Sequence, residues 1–259
     1  EAIPATVGKQ SWMFALPLKI DAGGIDLVLG SKGVGASIGW LRSPKNPRDV
    51  KAWRFHRWYD AGWIMSLIKK DIDGDGDLDV LASDRKGKTP GVLWLENPGP
   101  KAMQAEPARR WAARRIGVDG KEAMFISLAK DKTIYAAARP NQIYILRPGN
   151  DVRKPWNFET INFSPTKYGT SKAVRAADLD GDGKLEIAVT CELADGEKSG
   201  VFYLKRTGGK WIDHDIGGPA GIKFDRIELL DLDGDGDVDL LTCEEREFNA
   251  VLWYENPHR

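Results

Sequence analysis

Apolar residues along this chain fall in short β-type runs, such as 78–82 and 187–190, separated by turns rich in Asp, Gly or Pro. No stretch sustains a 3.6-residue apolar period over three turns, so the pattern predicts strands throughout and no long helix.

The runs are organised as repeats. Three segments nearly coincide: Asp-Ile-Asp-Gly-Asp-Gly-Asp-Leu-Asp at 71–79, Asp-Leu-Asp-Gly-Asp-Gly-Lys-Leu-Glu at 178–186 and Asp-Leu-Asp-Gly-Asp-Gly-Asp-Val-Asp at 231–239. The interval from 71 to 178 is about twice that from 178 to 231, which requires a copy midway, and residues 127–137 fill the slot with the acidic loop deleted. Residues 18–29 fit one period before Asp71, giving five copies of roughly 50 residues. Other positions keep the register. Trp40, Trp94, Tyr144, Tyr203 and Trp253 each follow a loop by about 20 residues, with Pro44, Pro98, Pro148 and Pro257 after them; Trp53, Trp111, Trp156 and Trp211 open a further strand.

Each repeat therefore reads as four short strands, which is the arithmetic of a β-propeller blade. The expectation is an all-β fold, a five-bladed β-propeller of four-stranded antiparallel blades in a single domain over 1–259. The blades lie near 12–58, 62–117, 122–163, 171–217 and 222–258. The last copy ends after its aromatic strand, so a strand over 3–9 is expected to complete that blade and close the ring, removing an open edge. An open solenoid is the alternative, but it needs capping repeats and none is visible.

Composition agrees with a globular chain: 42% of residues are hydrophobic and 29% charged. No apolar run approaches the roughly 20 residues of a membrane-spanning helix. The chain opens at Glu1 without a leader, which suggests a soluble segment from which any export signal has been removed.

The acidic loops carry the most specific chemistry. Carboxylates at loop positions 1, 3, 5 and 9, with Gly at 6 for the sharp turn, offer the hard oxygen shell that suits Ca²⁺ better than the smaller octahedron of Mg²⁺. An EF-hand shares the first six positions but needs a bidentate Glu at 12, where Ala82, Val189 and Thr242 stand, and helical flanks that are absent.

Together with Gly-Val-Leu-Trp-Leu-Glu-Asn-Pro at 91–98 and Ala-Val-Leu-Trp-Tyr-Glu-Asn-Pro at 250–257, these loops resemble the FG-GAP/VCBS class of calcium-binding propeller repeats, strongly in repeats two, four and five. Members of that class include integrin heads, fungal lectins and propeller domains of polysaccharide lyases and of a sugar dehydratase. The Phe-Gly and Gly-Ala-Pro signatures of the integrin branch are missing here. The resemblance implies about three structural Ca²⁺ ions, held by Asp71, Asp73, Asp75 and Asp79; by Asp178, Asp180, Asp182 and Glu186; and by Asp231, Asp233, Asp235 and Asp239. Repeats one and three lack the carboxylates for a metal. Loops of this kind suit millimolar extracellular calcium, so a secreted or periplasmic setting is expected. Cys191 and Cys243 end corresponding strands but are offset by about one position, which leaves a disulfide between them open.

Thirty-eight acids balance 38 bases, yet assigning 12 acids to metal loops leaves 26 against 38. The remaining surface is basic. In a blade, turns after the first and third strands share one face, and turns after the second and fourth share the other. This second face receives Lys32, Arg85, Lys86, Lys88, Arg139, Arg246, Lys172 and Lys223, interspersed with Asp84, Glu192, Glu244 and Glu245. Of ten Trp residues, seven hold the repeat-fixed positions and are read as packing between blades. Trp12 and Trp63 instead precede the first strands of repeats one and two, where with Tyr59 and Asp60 they form either a stacking platform for a sugar or a buried entrance to the blade.

Catalytic signatures are not found. His56 and His214 occupy one repeat position, which is read as structural, and no Gly-x-Ser-x-Gly, zinc-type His pair or phosphate loop is present. The catalytic residues therefore stay unknown. Two functions lead, with a protein-adhesion module as a third: a monomeric, secreted carbohydrate-binding propeller, a lectin that takes acidic glycans on the face away from the calcium loops; or a carbon-oxygen lyase, a polysaccharide lyase or sugar dehydratase, acting there on uronic or oxidised sugars. In the second, Tyr59, Lys172 or Lys223 would serve as base beside Arg85 or Arg139. No nucleic-acid motif or membrane span appears.

Overall fold

The structure, a computed structural model, describes residues 1–21 and 23–257; His258, the end of the fifth repeat as read from sequence, lies outside them. Strands are gathered into five antiparallel sheets, each ordered as in the chain, and the architecture is an all-β five-bladed β-propeller. Two compact units are distinguished, 1–123 with 148–156, and 124–147 with the residues from 157 onward.

The first unit holds two blades. Blade 1 is β1 (Ser11–Leu18), β2 (Asp26–Lys32), β3 (Ser37–Arg42) and β4 (Arg54–Asp60); blade 2 is β5 (Ile64–Lys70), β6 (Asp79–Asp84), β7 (Gly91–Glu96) and β8 (Ala112–Gly117). A six-residue helix α1 (Pro100–Ala105) links β7 to β8. The second and third strands are buried almost end to end, so they read as continuous apolar runs, whereas β4 and β8 expose part of their length. Trp40, 0% exposed, anchors one core with Val28, Ile38, Ile64, Val80 and Leu93, and Trp94 at the matching position of blade 2 is likewise 0% exposed. Trp58 belongs to this core too, stacked on Trp111 with ring centres 4.0 Å apart, and Met103 of α1 accepts the Trp111 indole N–H through its sulfur.

The second unit holds three sheets: β9 (Ala123–Leu128), β10 (Ile134–Ala138), β11 (Gln142–Arg147) and β12 (Asn157–Asn162); β13 (Thr170–Ala177), β14 (Glu186–Glu192), β15 (Val201–Thr207) and β16 (Lys210–Asp215); and β17 (Phe224–Leu230), β18 (Asp239–Glu244) and β19 (Ala250–Tyr254). Phe224 lies so close to Gly200 that a Cβ there would stand 2.1 Å from the ring, and Phe202 stacks on Tyr168 at 3.9 Å.

One expectation is corrected. Residues 4–9 form turns instead of a closing strand, and the fifth sheet has three strands among the described residues. Pro4 lacks an N–H for a ladder, and the Thr6 N–H and hydroxyl both donate to the Ile3 carbonyl, curling the segment so that Ile3 and Ala5 pack on Leu29, Leu41 and Trp53. β19 is the outermost strand of that sheet among the described residues, and its Trp253 is 48% exposed although its counterparts Trp40 and Trp94 are sealed. Trp53, Trp111 and Trp156 are buried as the repeat predicts, while Trp211 is only half-buried.

Trp94→Ala should therefore cost about 3–5 kcal/mol in urea unfolding, as expected for emptying a sealed core site. Trp253→Ala, at the same repeat position, should cost under about 1 kcal/mol.

Candidate functional site

Each acidic loop is shaped by two glycines in the left-handed region, at φ 83° and 95° for Gly74 and Gly76, 73° and 80° for Gly181 and Gly183, and 83° and 102° for Gly234 and Gly236. The turn lets the first carboxylate accept backbone N–H groups: Asp71 from Gly74 and Gly76, Asp231 from Gly234 and Gly236, Asp178 from Gly183. Three groups of carboxylates converge, each with one oxygen per residue within 4.8 Å of the others: Asp71, Asp73 and Asp79; Asp178, Asp180 and Glu186; Asp231, Asp233 and Asp235. Asp75, Asp182 and Asp239 fall outside these groups.

Position 9 has a second task. Asp79 accepts the N–H of Ile72 at 3.0 Å and of Asn97 at 2.8 Å, and Asp239 accepts those of Leu232 and Asn256; Glu186 takes the N–H of Leu179. Burial pushes the Asp79 carboxyl up to about 6 in spite of these donors. The all-oxygen donor sets fit a hard divalent cation, and Asp178 Oδ1 and Asp180 Oδ1 are buried without a hydrogen-bond partner, which a cation would relieve. Basic side chains brace the loops from outside. Arg153 joins Asp73 to Glu96, and Lys205 holds Asp180 and Asp182. The corresponding turns of repeats one and three are built differently: Asp21 pairs with Arg42 at 2.7 Å, and Asp131 accepts from Thr133.

At the other end of the first unit's sheets, the turn from β6 and the entry to β5 are tied by one buried carboxylate. Asp84 accepts the N–H groups of Gly62, Trp63 and Lys86, and burial raises its pKa. Gly62 approaches so closely that a Cβ there would lie 1.9 Å from the Lys86 carbonyl oxygen. Around the Trp63 ring stand three cations, with Arg85 Cζ at 4.8 Å, Lys32 Nζ at 4.9 Å and Lys86 Nζ at 5.4 Å from its centre. Arg85 also bonds Glu122 at 2.8 Å, while Lys32 and Lys86 have no carboxylate partner among the described residues. Each ammonium gains about 0.5–1 kcal/mol from the ring, but like charges gathered on one indole repel unless an anion joins them. Trp63 is thus a seat for cations more than a bare stacking face.

The other residues singled out from sequence are differently placed. Trp12 leans on Phe55 and donates its indole N–H to the Thr6 carbonyl, anchoring the N-terminal turns. The Tyr59 hydroxyl lies 3.3 Å from that of Thr89. Asp60 bonds Arg57 at 2.6 Å and faces Arg110, which together hold its pKa low.

In the second unit the matching turns are largely self-neutralised. Lys172, 6% exposed, stands 3.3 Å from Glu192 and 3.7 Å from Asp225. Arg139 pairs with Glu192 at 3.3 Å, and Lys223 with Glu245. Burial and a hydrogen bond to Glu245 push Asp225 up to about 6, and Glu245 is held low by the same bond and by Lys223. Arg246 is exposed, its backbone N–H given to Glu244. His56 and His214 lie against Trp40 and Tyr203, and both cysteines are free, with burial pushing the Cys191 thiol up.

Sequence reasoning missed the turn-tying carboxylates. Asp84 and Glu244, seen there as surface charge, are each 1% exposed. The signal available was an acid closing the second strand of repeats two, four and five. Comparison of the chain with protein-family models and with curated proteins finds no match.

Glu244 supplies a pH test. Burial pushes its pKa up, but N–H groups of Lys223, Phe248, Arg246 and Ile222 outweigh this and bring it down to about 2, against an ordinary 4.5. The stabilisation is complete above the unfolded value and disappears as pH falls through about 2. Glu244→Gln should lower Tm at neutral pH and flatten the fall of Tm between those two pH values, as followed by circular dichroism.

Proposed function

We propose that the chain is a calcium-stabilised carbohydrate-binding propeller that works outside the cytoplasm, and that it holds acidic glycans at the second-strand turns of its first unit, away from the acidic loops. The observation that carries this reading is the convergence of Lys32, Arg85 and Lys86 on Trp63, with both ammonium groups lacking a carboxylate among the described residues. A uronate or sulfate group would supply the missing negative charge, and Tyr59 and Thr89 offer hydroxyls on the same unit for sugar polar groups. The acidic loops support the metal role: Asp71, Asp178 and Asp231 open donor sets that a calcium ion would complete, tying the first and second strands of three blades. The resemblance to FG-GAP/VCBS repeats points the same way.

Binding of an acidic polysaccharide, measured by calorimetry, should weaken as salt rises. The Lys32→Glu, Lys86→Glu double variant should weaken it by about tenfold or more, equivalent to ~1.4 kcal/mol, and unchanged affinity would refute the site. Stripping calcium with EDTA should lower Tm, with recovery on adding calcium back; a Tm indifferent to both would refute the metal role.

A second reading, a lyase or dehydratase on uronic or oxidised sugars, is favoured by one cluster. Asp225, with its raised pKa and its bond to Glu245, lies 3.7 Å from buried Lys172, and Arg139 stands nearby on Glu192 to neutralise a substrate carboxylate. Incubation with uronate polysaccharides tests it: appearance of the ultraviolet absorbance of an unsaturated uronate, abolished in Asp225→Asn, would replace binding by elimination.

A further inference from the structure

Blade 1 departs from blades 2, 4 and 5 at the turn between its first two strands. Its two acids there are already engaged: Asp21 accepts the Gly23 N–H at 2.7 Å and pairs with Arg42, and Asp26 accepts the Ser43 N–H at 2.7 Å. Where the other blades present carboxylates, this turn borders a cleft of about 670 Å³, within the roughly 300–1,000 Å³ of small-molecule sites. Its walls come from the connection between β3 and β4, with Pro44 and Pro47, from Arg54 at the start of β4, and from Gln104 of α1.

Charge in the cleft is opposite to that of the acidic loops. The Arg42 guanidinium is neutralised by Asp21 and lies over Trp40 at 5.3 Å. Arg54 is held by carbonyls, donating through Nη1 to Lys51 at 2.7 Å and Trp53 at 2.9 Å, so its orientation is fixed while its charge is unanswered. Among the described residues its Nε and Nη2 donors have no acceptor, which leaves them for a planar oxyanion. Lys45 stands exposed on the same rim, and neither cation has a carboxylate partner among the described residues. Two uncompensated cations, proline walls and the Gln104 amide are the parts of a site for a small hydroxylated anion, in which the charge is gripped at the rim and the carbon skeleton lies on the prolines.

We infer that this cleft is a binding site for a small sugar acid, separate from the Trp63 patch and independent of the reading given to it. The test uses the calcium-saturated full chain with assigned NMR resonances, titrated separately with galacturonate, galactose and sodium sulfate at matched ionic strength. Galacturonate is expected to shift the Gln104 side-chain amide saturably, with galactose and sulfate each weaker by about tenfold or more. Lys45→Glu with Arg54→Gln should weaken galacturonate by about tenfold with Tm unchanged, and Lys45→Glu alone should act in the same direction. Lys32→Glu with Lys86→Glu should leave the Gln104 response intact. The inference is overturned if Gln104 does not respond to galacturonate, if sulfate competes on equal terms and so marks a bare-ion site, or if the Lys45 and Arg54 variants bind as the parent does.

Discussion

The chain's central constraint is the need of buried backbone N–H groups for acceptors where a strand ends and no ladder partner remains. This protein meets it with carboxylates at both ends of the second strands of blades 2, 4 and 5. β6 begins at Asp79 and ends at Asp84, and β18 begins at Asp239 and ends at Glu244; all four are 1% exposed and accept backbone N–H groups from flanking turns. β14 is bounded likewise by Glu186 and Glu192, although Glu192 serves side-chain cations. A carboxylate can accept several N–H groups at once, which neither a serine nor a backbone carbonyl matches in number.

That use of acids decides where positive charge is left over. The chain carries as many bases as acids, but an acid turned inward onto main-chain donors is remote from the lysines on the surface. In the second unit enough carboxylates remain at the turns for Lys172, Lys223 and Arg139 to be paired. In the first unit the equivalent carboxylate, Asp84, is consumed by Gly62, Trp63 and Lys86, and the ammonium groups of Lys32 and Lys86 gather on the nearest polarisable surface, the Trp63 indole. Repetition of sequence thus yields blades alike in backbone and unlike in surface chemistry.

The fold was legible because its determinants recur: acidic loops in three repeats, an aromatic strand in all five and a Trp strand in four share one period before any contact is known. The 3–9 segment was misread because a strand was inferred from a vacancy in the repeat, whereas Pro4 and Thr6 set local turns that no repeat arithmetic records. Asp79 and Asp239 were identified as acids of a loop, but their N–H acceptance depends on Asn97 and Asn256, 18 and 17 residues away, a pairing visible only in three dimensions. Trp63 was set apart by its place in the repeat, but its surroundings come from β2 and from the turn after β6, and sequence proximity gave no guide to them. Trp12, its register-equivalent, went to a different task because Thr6 offered a carbonyl within reach.

The tight approach of Gly62 to the Lys86 carbonyl gives the first unit's surface an unusual mechanical character. Two main-chain segments so close leave no room for a side chain between them, and with the Asp84 carboxylate accepting N–H groups from both, the turn after β6 and the entry to β5 are held as one backbone unit from which the cationic side chains project.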